Sequence, residues 1–118
     1  MKLYYLVLIR RGSAWTAAQT PEVKQVSAGH MANIQRMTNL GKMALAGPFE
    51  VPEGAPADAP AGIFILNVPS MEEAVAVTQA DPAVKAGRFK VDILPWYGPA
   101  GITYDGMEAF VKHGPEGK

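Results

Sequence analysis

Two short stretches of this chain are apolar at almost every position, and they restrict the fold more than any other feature. Residues 3–9 read LYYLVLI, and residues 62–68 read GIFILNV. Their β-branched and aromatic side chains predict β-strands, in which successive side chains point to opposite faces of a sheet. A strand that is apolar on both faces has to be buried on both faces. We therefore expect a sheet that is covered on each side.

Two further segments carry the start and stop signals of helices. The first begins at Thr20, an N-cap hydroxyl followed by proline, and ends near the glycine at position 41. The second begins with the S-x-x-E capping box of Ser70 and Glu73 and ends near Asp81, which precedes another proline. Each predicted helix lies between two predicted strands.

The remaining segments predict two more strands, a loop and a tail. Residues 42–49 read as a second strand, and the proline-rich residues 50–61 read as a long exposed loop. Residues 88–94 alternate between polar and apolar, which predicts a fourth, half-buried strand after the short turn PAVKAG. From residue 95 onward glycine and proline are frequent, and we expect a tail with one helical turn around residues 106–112.

The predicted order β-α-β-β-α-β is that of an α+β, ferredoxin-like fold. In this fold two helices cover one face of a four-stranded antiparallel sheet. We expect it to occupy residues 1–97, followed by a C-terminal tail at 98–118. The uncovered sheet face would then expose more apolar surface than a soluble monomer usually does. We therefore expect a homodimer in which two copies pack sheet to sheet.

Composition excludes several classes of partner. Eleven basic and eleven acidic residues cancel, so no basic field is available to attract nucleic acid or an anionic membrane. The chain has no cysteine, which excludes disulfides and thiolate chemistry. The opening MKLYYLVLIRR is too short to cross a bilayer and lacks the cleavage site of a signal peptide. We expect a cytoplasmic protein that binds neither nucleic acid nor membrane.

The sequence also argues against a metal or a nucleotide cofactor. His113 lies far along the chain from His30, and no H-x-x-x-H or carboxylate cluster supplies the ligands that a stable metal site needs. The chain lacks G-x-G-x-x-G and P-loop motifs as well. We expect chemistry that uses no metal and no cofactor.

His30 is the first candidate for chemistry because it interrupts an apolar stripe. The residues of this stripe follow one another at helical spacing, and an aliphatic side chain would be ordinary at position 30. One interpretation is a core histidine that donates to a backbone carbonyl, and the other is the working group of a site. The stripe consists of Val23, Val26, His30, Ile34 and Met37.

Asp81 is the candidate partner of His30. An aspartate before proline is common in turns, so a purely local role is one interpretation. The C-terminal end of a helix is, however, the less favourable end for an anion. Both helices are also expected on the same sheet face, where the two side chains can meet. An aspartate bonded to one imidazole nitrogen orients the ring and favours its protonated form, as in a general base.

Aromatic and basic residues give further candidates with two interpretations each. Trp15 is either a pocket wall or an ordinary loop aromatic. Trp96 and Tyr97 either stack on an aromatic ligand or pack within the protein. Arg10 and Arg11 either hold a substrate carboxylate or are solvated charges at a strand end.

Five segments of the chain, taken together, resemble the YCII-related domain family. They are GHMANIQRM, GKMALAGPF, SMEEA, ADPAVKAGRF and ILPW, and the resemblance extends over residues 3–97. It implies a ferredoxin-like dimeric α+β barrel whose site is formed by His30 and Asp81. It also implies that Gly47 and Pro48 shape the pocket floor and that Pro82 forms the D-P turn. With Trp15 and Trp96, these three residues are our candidates for substrate binding.

The resemblance implies proton transfer on a small organic ring. One branch of the family resembles dehydrochlorinases of chlorinated hydroxyhydroquinones, and similar barrels include muconolactone isomerases. We therefore expect a cofactor-independent enzyme in which His30, oriented by Asp81, catalyses an elimination or isomerisation. Two alternatives stay open, namely a binding or accessory dimer without turnover and a His-Asp pair that only joins the helices. The longer loop at 50–61 and the tail leave the substrate unspecified.

Overall fold

The computed structural model of the chain describes residues 1–102, in which helices cover one face of a four-stranded sheet. The strands lie in the order second, third, first and fourth, and every neighbouring pair is antiparallel. This is the α+β, ferredoxin-like fold predicted above, with one short helix added. In chain order the elements are β1 (Lys2–Arg11), α1 (Pro21–Asn39), β2 (Met43–Pro48), β3 (Pro60–Leu66), α2 (Met71–Gln79), α3 (Pro82–Lys85) and β4 (Phe89–Gly98).

Both long helices begin at the predicted caps. Thr20 Oγ1 accepts a hydrogen bond from the Val23 amide at 3.1 Å, and Ser70 Oγ accepts one from the Glu73 amide at 3.2 Å. The carboxylate of Glu73, which a capping box would turn back onto the helix start, pairs with Lys42 at 3.0 Å. This ion pair ties the first turn of α2 to the residue that precedes β2.

The fourth strand is longer than predicted. Residues from Pro95 onward were expected to begin the tail, whereas β4 continues to Gly98 and pairs Pro95 with Tyr5 and Trp96 with Tyr4. Because β4 is an edge strand of the sheet, a proline can lie in it without removing a ladder hydrogen bond. The predicted end of the strand at residue 94 is therefore wrong.

Two smaller differences concern β3 and the segment before β4. The third strand begins and ends two residues earlier than predicted, since it covers Pro60–Leu66 rather than 62–68. The segment PAVKAG, expected as a turn, contains α3. The helical turn expected around 106–112 and His113, which was weighed as a metal ligand and judged too far from His30, lie outside the described residues, and the division at residue 97 stays a prediction.

The two sheet faces differ in what covers them. On one face the odd-numbered β1 residues, including Val7 with no exposed surface, pack with Ile34 and other residues of the helices. On the other face Tyr4 and Ile65 are buried with Ile102 packed against them, while Leu94 is 52% exposed. Within residues 1–102 no helix lies on this second face. The prediction that strands β1 and β3 are apolar on both sides is confirmed.

In the described part of the chain no helix is both long and apolar enough to cross a membrane. The cytoplasmic location expected from the sequence stays a prediction.

Candidate functional site

A cavity of about 270 Å³ opens between α1, the sheet and the start of β4. Its wall is mostly apolar, with Ile9, Phe64 and Phe89 among the larger side chains. Three polar residues also line it, namely Ser27, His30 and Arg88. A small, mostly apolar molecule with a few polar groups is what such a cavity suits.

The cavity exists because β2 and β3 carry small residues beneath α1. Ala46 and Gly47 come from β2, and Ala61 and Gly62 come from β3. A side chain at Gly62 would place its Cβ 2.7 Å from the carbonyl oxygen of Gly47, so the two strands can approach here only with glycine at position 62. Pro48 lines the cavity beside them.

His30 and Asp81 are in direct contact. His30 Nδ1 lies 3.0 Å from Asp81 Oδ1 and 2.9 Å from Oδ2. The Asp81 side chain has no exposed surface, and that of His30 is 16% exposed. Because a carboxylate can only accept, we assign the Nδ1 proton to the imidazole, which leaves the Nε2 lone pair free in the neutral ring.

The Nε2 atom of His30 has no hydrogen-bond partner among residues 1–102. Every fully buried side-chain nitrogen or oxygen in that range does have a partner, so Nε2 is not fully buried. Because His30 lines the cavity, we infer that Nε2 is accessible from it. Two aromatic rings limit the motion of the imidazole. The ring centroid of Phe64 lies 5.8 Å away in a stacked arrangement, and that of Phe89 lies 5.4 Å away edge-on. A ligand in the cavity therefore meets His30 through one nitrogen of a constrained ring.

Two further donors complete the hydrogen bonding of Asp81. The Ala83 amide donates to Oδ1 at 2.8 Å, and Asn33 Nδ2 donates to Oδ2 at 3.0 Å. Asn33 is in turn held by Arg36, whose Nη2 donates to the Asn33 side-chain oxygen at 2.7 Å. A buried carboxylate with three donors is compatible with the interior, whereas an unpaired one would be very costly.

The position of Asp81 in the fold corrects one step of the sequence argument. Asp81 was expected at the C-terminal end of the second helix, where an anion is disfavoured. Helix α2 already ends at Gln79 with Ala80 as its C-cap, and Asp81 is the N-cap of α3 through its bond to the Ala83 amide. An aspartate is favourable at that position. The predicted unfavourable position of Asp81 at a helix C-terminus is therefore wrong, whereas its predicted contact with His30 is present.

Close packing of α1 and α3 brings Asp81 to His30. Gly29, the neighbour of His30, faces Pro82, and a Cβ on Gly29 would lie 2.9 Å from Pro82 Cγ. Pro82 was a candidate for substrate binding, and the structure places it in this helix contact rather than in the cavity lining. A glycine at position 29 lets the two helices approach.

Neither candidate tryptophan lines the cavity. The Trp15 ring lies beneath the guanidinium of Arg11, whose Cζ is 3.7 Å from the ring centroid. Trp96 lies across the sheet from the cavity, where its ring centroid is 5.9 Å from that of Tyr4. Gly47 and Pro48 are thus the residues from this group of candidates that reach the cavity.

Sequence reasoning missed Asn33, Arg36 and Arg88. Asn33 and Arg36 follow His30 at intervals of three, so helical spacing could have placed them beside it on α1. Arg88 carries no comparable signal, because it is a single charge at the first position of the predicted strand 88–94. Arg10, which was considered as a carboxylate binder, pairs instead with Asp92 at 3.0 Å.

Within residues 1–102 no three His, Asp or Glu side chains are grouped so that they could hold a metal ion. The titratable groups that line the cavity in this part of the chain are His30 and Arg88.

One family model matches the chain, and a curated protein and a solved structure are similar to it. The model of the YCII-related domain matches residues 3–97. The uncharacterized protein YjpA of Bacillus subtilis (strain 168) is 30% identical over 69 residues, which cover 58% of this chain and 73% of YjpA. Among solved structures, the chain is similar to 5-chloro-2-hydroxyhydroquinone dehydrochlorinase (TftG) from Burkholderia phenoliruptrix AC1100 in complex with 2,5-dihydroxybenzoquinone. The TM-score is 0.54 at 23% identity, over 80% of this chain and 95% of TftG, and this likeness shows a shared fold.

Proposed function

The chain belongs to the YCII-related domain family, and from that premise we propose that it is a cofactor-independent enzyme that moves a proton on a small ring-shaped molecule. One observation carries the proposal. His30 lines an apolar cavity and its Nε2 has no hydrogen-bond partner among residues 1–102, while its Nδ1 is bonded to the fully buried Asp81. A positioned imidazole with a carboxylate behind it is a common general acid and base.

In the proposed reaction, His30 Nε2 accepts a proton from a carbon of the substrate. In an elimination, the electron pair of the broken C–H bond forms a new double bond, and the leaving group departs with its own bonding pair. In an isomerisation, the imidazolium returns the proton to a different carbon. Asp81 holds the ring and stabilises the imidazolium that forms, while Asn33 and the Ala83 amide hold Asp81.

The size of the cavity supports a substrate of about one ring. A volume of about 270 Å³ is at the lower end of ligand pockets, which suits a single six-membered ring with a few substituents. TftG, which shares the fold, is a dehydrochlorinase whose structure holds 2,5-dihydroxybenzoquinone. This likeness supports, for the present chain, the choice of a small oxygen-bearing ring.

We propose in addition that two copies of the chain form a homodimer through the sheet face opposite to the helices. This face presents the half-buried Leu6, Leu45 and Ile63, and Leu94 is 52% exposed. Monomers seldom leave an apolar patch of this kind uncovered. Light scattering should give twice the mass of one chain, and a monodisperse monomer would contradict the dimer.

Turnover by His30→Asn measured against the wild-type protein tests the catalytic role. A panel of chlorinated hydroquinones and unsaturated lactones is incubated with each protein, and products are followed by chromatography. Loss of a general base should lower kcat by about 10²- to 10⁴-fold. Circular dichroism and thermal unfolding of the variant show whether the fold is retained, so that a structural role can be separated from a catalytic one.

A binding or accessory protein without turnover gives a different pattern. It would bind ring molecules in the cavity yet form no product at any pH. An enzyme that uses His30 should instead show a rate that follows one ionisation, and this dependence should disappear in His30→Asn. Equal turnover by both proteins would contradict the proposed function.

A further inference from the structure

Arg88 is a cation in the wall of the cavity, and it has no anionic partner among residues 1–102. Two other basic side chains in that range do have one, since Arg10 pairs with Asp92 at 3.0 Å and Lys42 pairs with Glu73 at 3.0 Å. No carboxylate in that range lies within ion-pair distance of Arg88. The other cavity residues are uncharged apart from His30.

The surroundings of Arg88 hold its guanidinium in place. Nη1 donates to the Thr16 carbonyl at 2.9 Å, and the guanidinium lies 5.7 Å from the Trp15 ring centroid. The loop that carries these residues is itself fixed to the start of β4, because the Gly12 amide donates to the Arg88 carbonyl at 2.8 Å and the Ala14 amide donates to that of Gly87 at 2.9 Å. The side chain is therefore ordered by the protein before any ligand binds.

One bond to a carbonyl leaves most of the donors of the guanidinium unused. Nη2 and Nε have no hydrogen-bond partner within the described range. A planar fork of free donors beside an apolar wall matches the geometry of carboxylates and other anionic oxygens. Among residues 1–102 no carboxylate serves as its counterion, so an anionic ligand can supply one.

We propose that Arg88 makes the cavity selective for small rings that carry an anionic oxygen, either a carboxylate or an ionised enol. This inference rests on the proposed function, since it assumes that the cavity takes a ring molecule. Arg88 holds the anionic oxygen at one side of the cavity, and the opposite part of the ring is presented to Nε2 of His30. The role of Arg88 is to orient and select the substrate, while His30 exchanges the proton.

Equilibrium binding of matched anionic and neutral rings tests the proposal without any need for turnover. The first pair is benzoate and benzamide, and the second is 2,5-dihydroxybenzoquinone and its dimethyl ether, which cannot ionise. Titration calorimetry or ligand-observed NMR should show that the wild-type protein prefers the anion in at least one pair. The two pairs distinguish a carboxylate from an enolate as the preferred group.

Three variants locate the origin of this preference. Arg88→Gln should weaken binding of the preferred anion by about tenfold to a hundredfold, which is the usual worth of a charge-assisted hydrogen bond, and should leave its neutral partner almost unaffected. Arg88→Lys should keep part of the preference, because the charge remains while the fork is lost. Lys42→Gln, which removes a positive charge from the ion pair with Glu73 outside the cavity, should behave as the wild type.

The proposal is overturned if no anion binds better than its neutral partner, or if Arg88→Gln retains the full preference. Its failure differs from that of the proposed function. An anion preference that Arg88→Gln removes, combined with turnover that His30→Asn leaves unchanged, would uphold the role of Arg88 and refute catalysis by His30. Loss of turnover in His30→Asn with no anion preference would give the reverse result.

Discussion

On each side of the sheet one aspartate is paired with a basic side chain, and the two pairs differ in burial and in the number of hydrogen bonds that the aspartate accepts. Asp81, on the helix-covered side, has no exposed surface and accepts hydrogen bonds from His30, Asn33 and the Ala83 amide. Asp92, on the open face, is 60% exposed and pairs with Arg10 alone. The carboxylate is buried and held in one orientation on the side where helices bring several donors together, and it is exposed on the side without helices.

The apolar strands themselves do not distinguish these faces. β1 contributes Val7 and Ile9 to the covered face and Tyr4 and Leu6 to the open one. The two faces differ in the elements that pack on them. On the covered face, α1 and the N-cap of α3 supply polar side chains that are hydrogen-bonded to each other. We therefore propose proton chemistry on the covered face and association through the open face.

The largest expected effect comes from removing each aspartate in turn. Asp81→Ala leaves a partly buried imidazole, the buried Asn33 amide and the Ala83 backbone N–H without their acceptor, and should lower the free energy of unfolding by about 3–5 kcal/mol. Asp92→Ala breaks an exposed ion pair and should cost about 0–1 kcal/mol. Urea unfolding at one fixed protein concentration measures both. Similar losses for the two variants would remove the distinction between the faces.

A charge placed on the open face should break the proposed dimer. Leu94→Glu should weaken association by about 3 kcal/mol, or about a hundredfold, because it removes apolar burial and adds a carboxylate to the interface. Leu40 has a similar exposed fraction, 56%, but is the C-cap of α1, so Leu40→Glu is the matched control. Sedimentation or light scattering over a dilution series should show monomers at low concentration for Leu94→Glu only. Equal behaviour of the two variants would place the dimer contact elsewhere.

A smaller effect is expected where α1 meets α3. In Gly29→Ala the new methyl group would lie 2.9 Å from Pro82 Cγ, which should cost about 1–2 kcal/mol after the better helix propensity of alanine is counted. Pro82→Ala removes Pro82 Cγ, the atom with which the new methyl group would clash. The double variant should therefore be more stable than the sum of the two single changes, as measured in a double-mutant cycle. Simple additivity would show that this contact does not set the spacing of the helices.

Much of the scaffold could be predicted because its signals are local. The stripe that includes His30 follows from helical spacing, and the start of α1 follows from threonine before proline at positions 20 and 21. The same kind of signal, an N-cap residue before proline, recurs at Asp81 and Pro82 and marks the start of α3. It was missed because four residues are too few to show helical periodicity.

The rest of the site depends on contacts that sequence spacing does not contain. His30 and Asp81 are 51 positions apart, and they meet because Gly29 lets α3 approach α1. Both helices were expected on one sheet face, which allowed the two side chains to meet, and the family resemblance then implied that they form one site. Arg88 reaches the cavity because the loop after β1 folds back onto the start of β4, which no local pattern indicates.

Proton exchange at carbon shows directly whether His30 abstracts a proton. Ring molecules with an acidic C–H bond, including unsaturated lactones, are incubated in D₂O with the wild-type protein or His30→Asn, and deuterium incorporation is followed by NMR. The account predicts exchange with the wild-type protein at a rate that His30→Asn lowers by about 10²-fold or more, while the fold of the variant is retained. Exchange at the same rate with both proteins would contradict it.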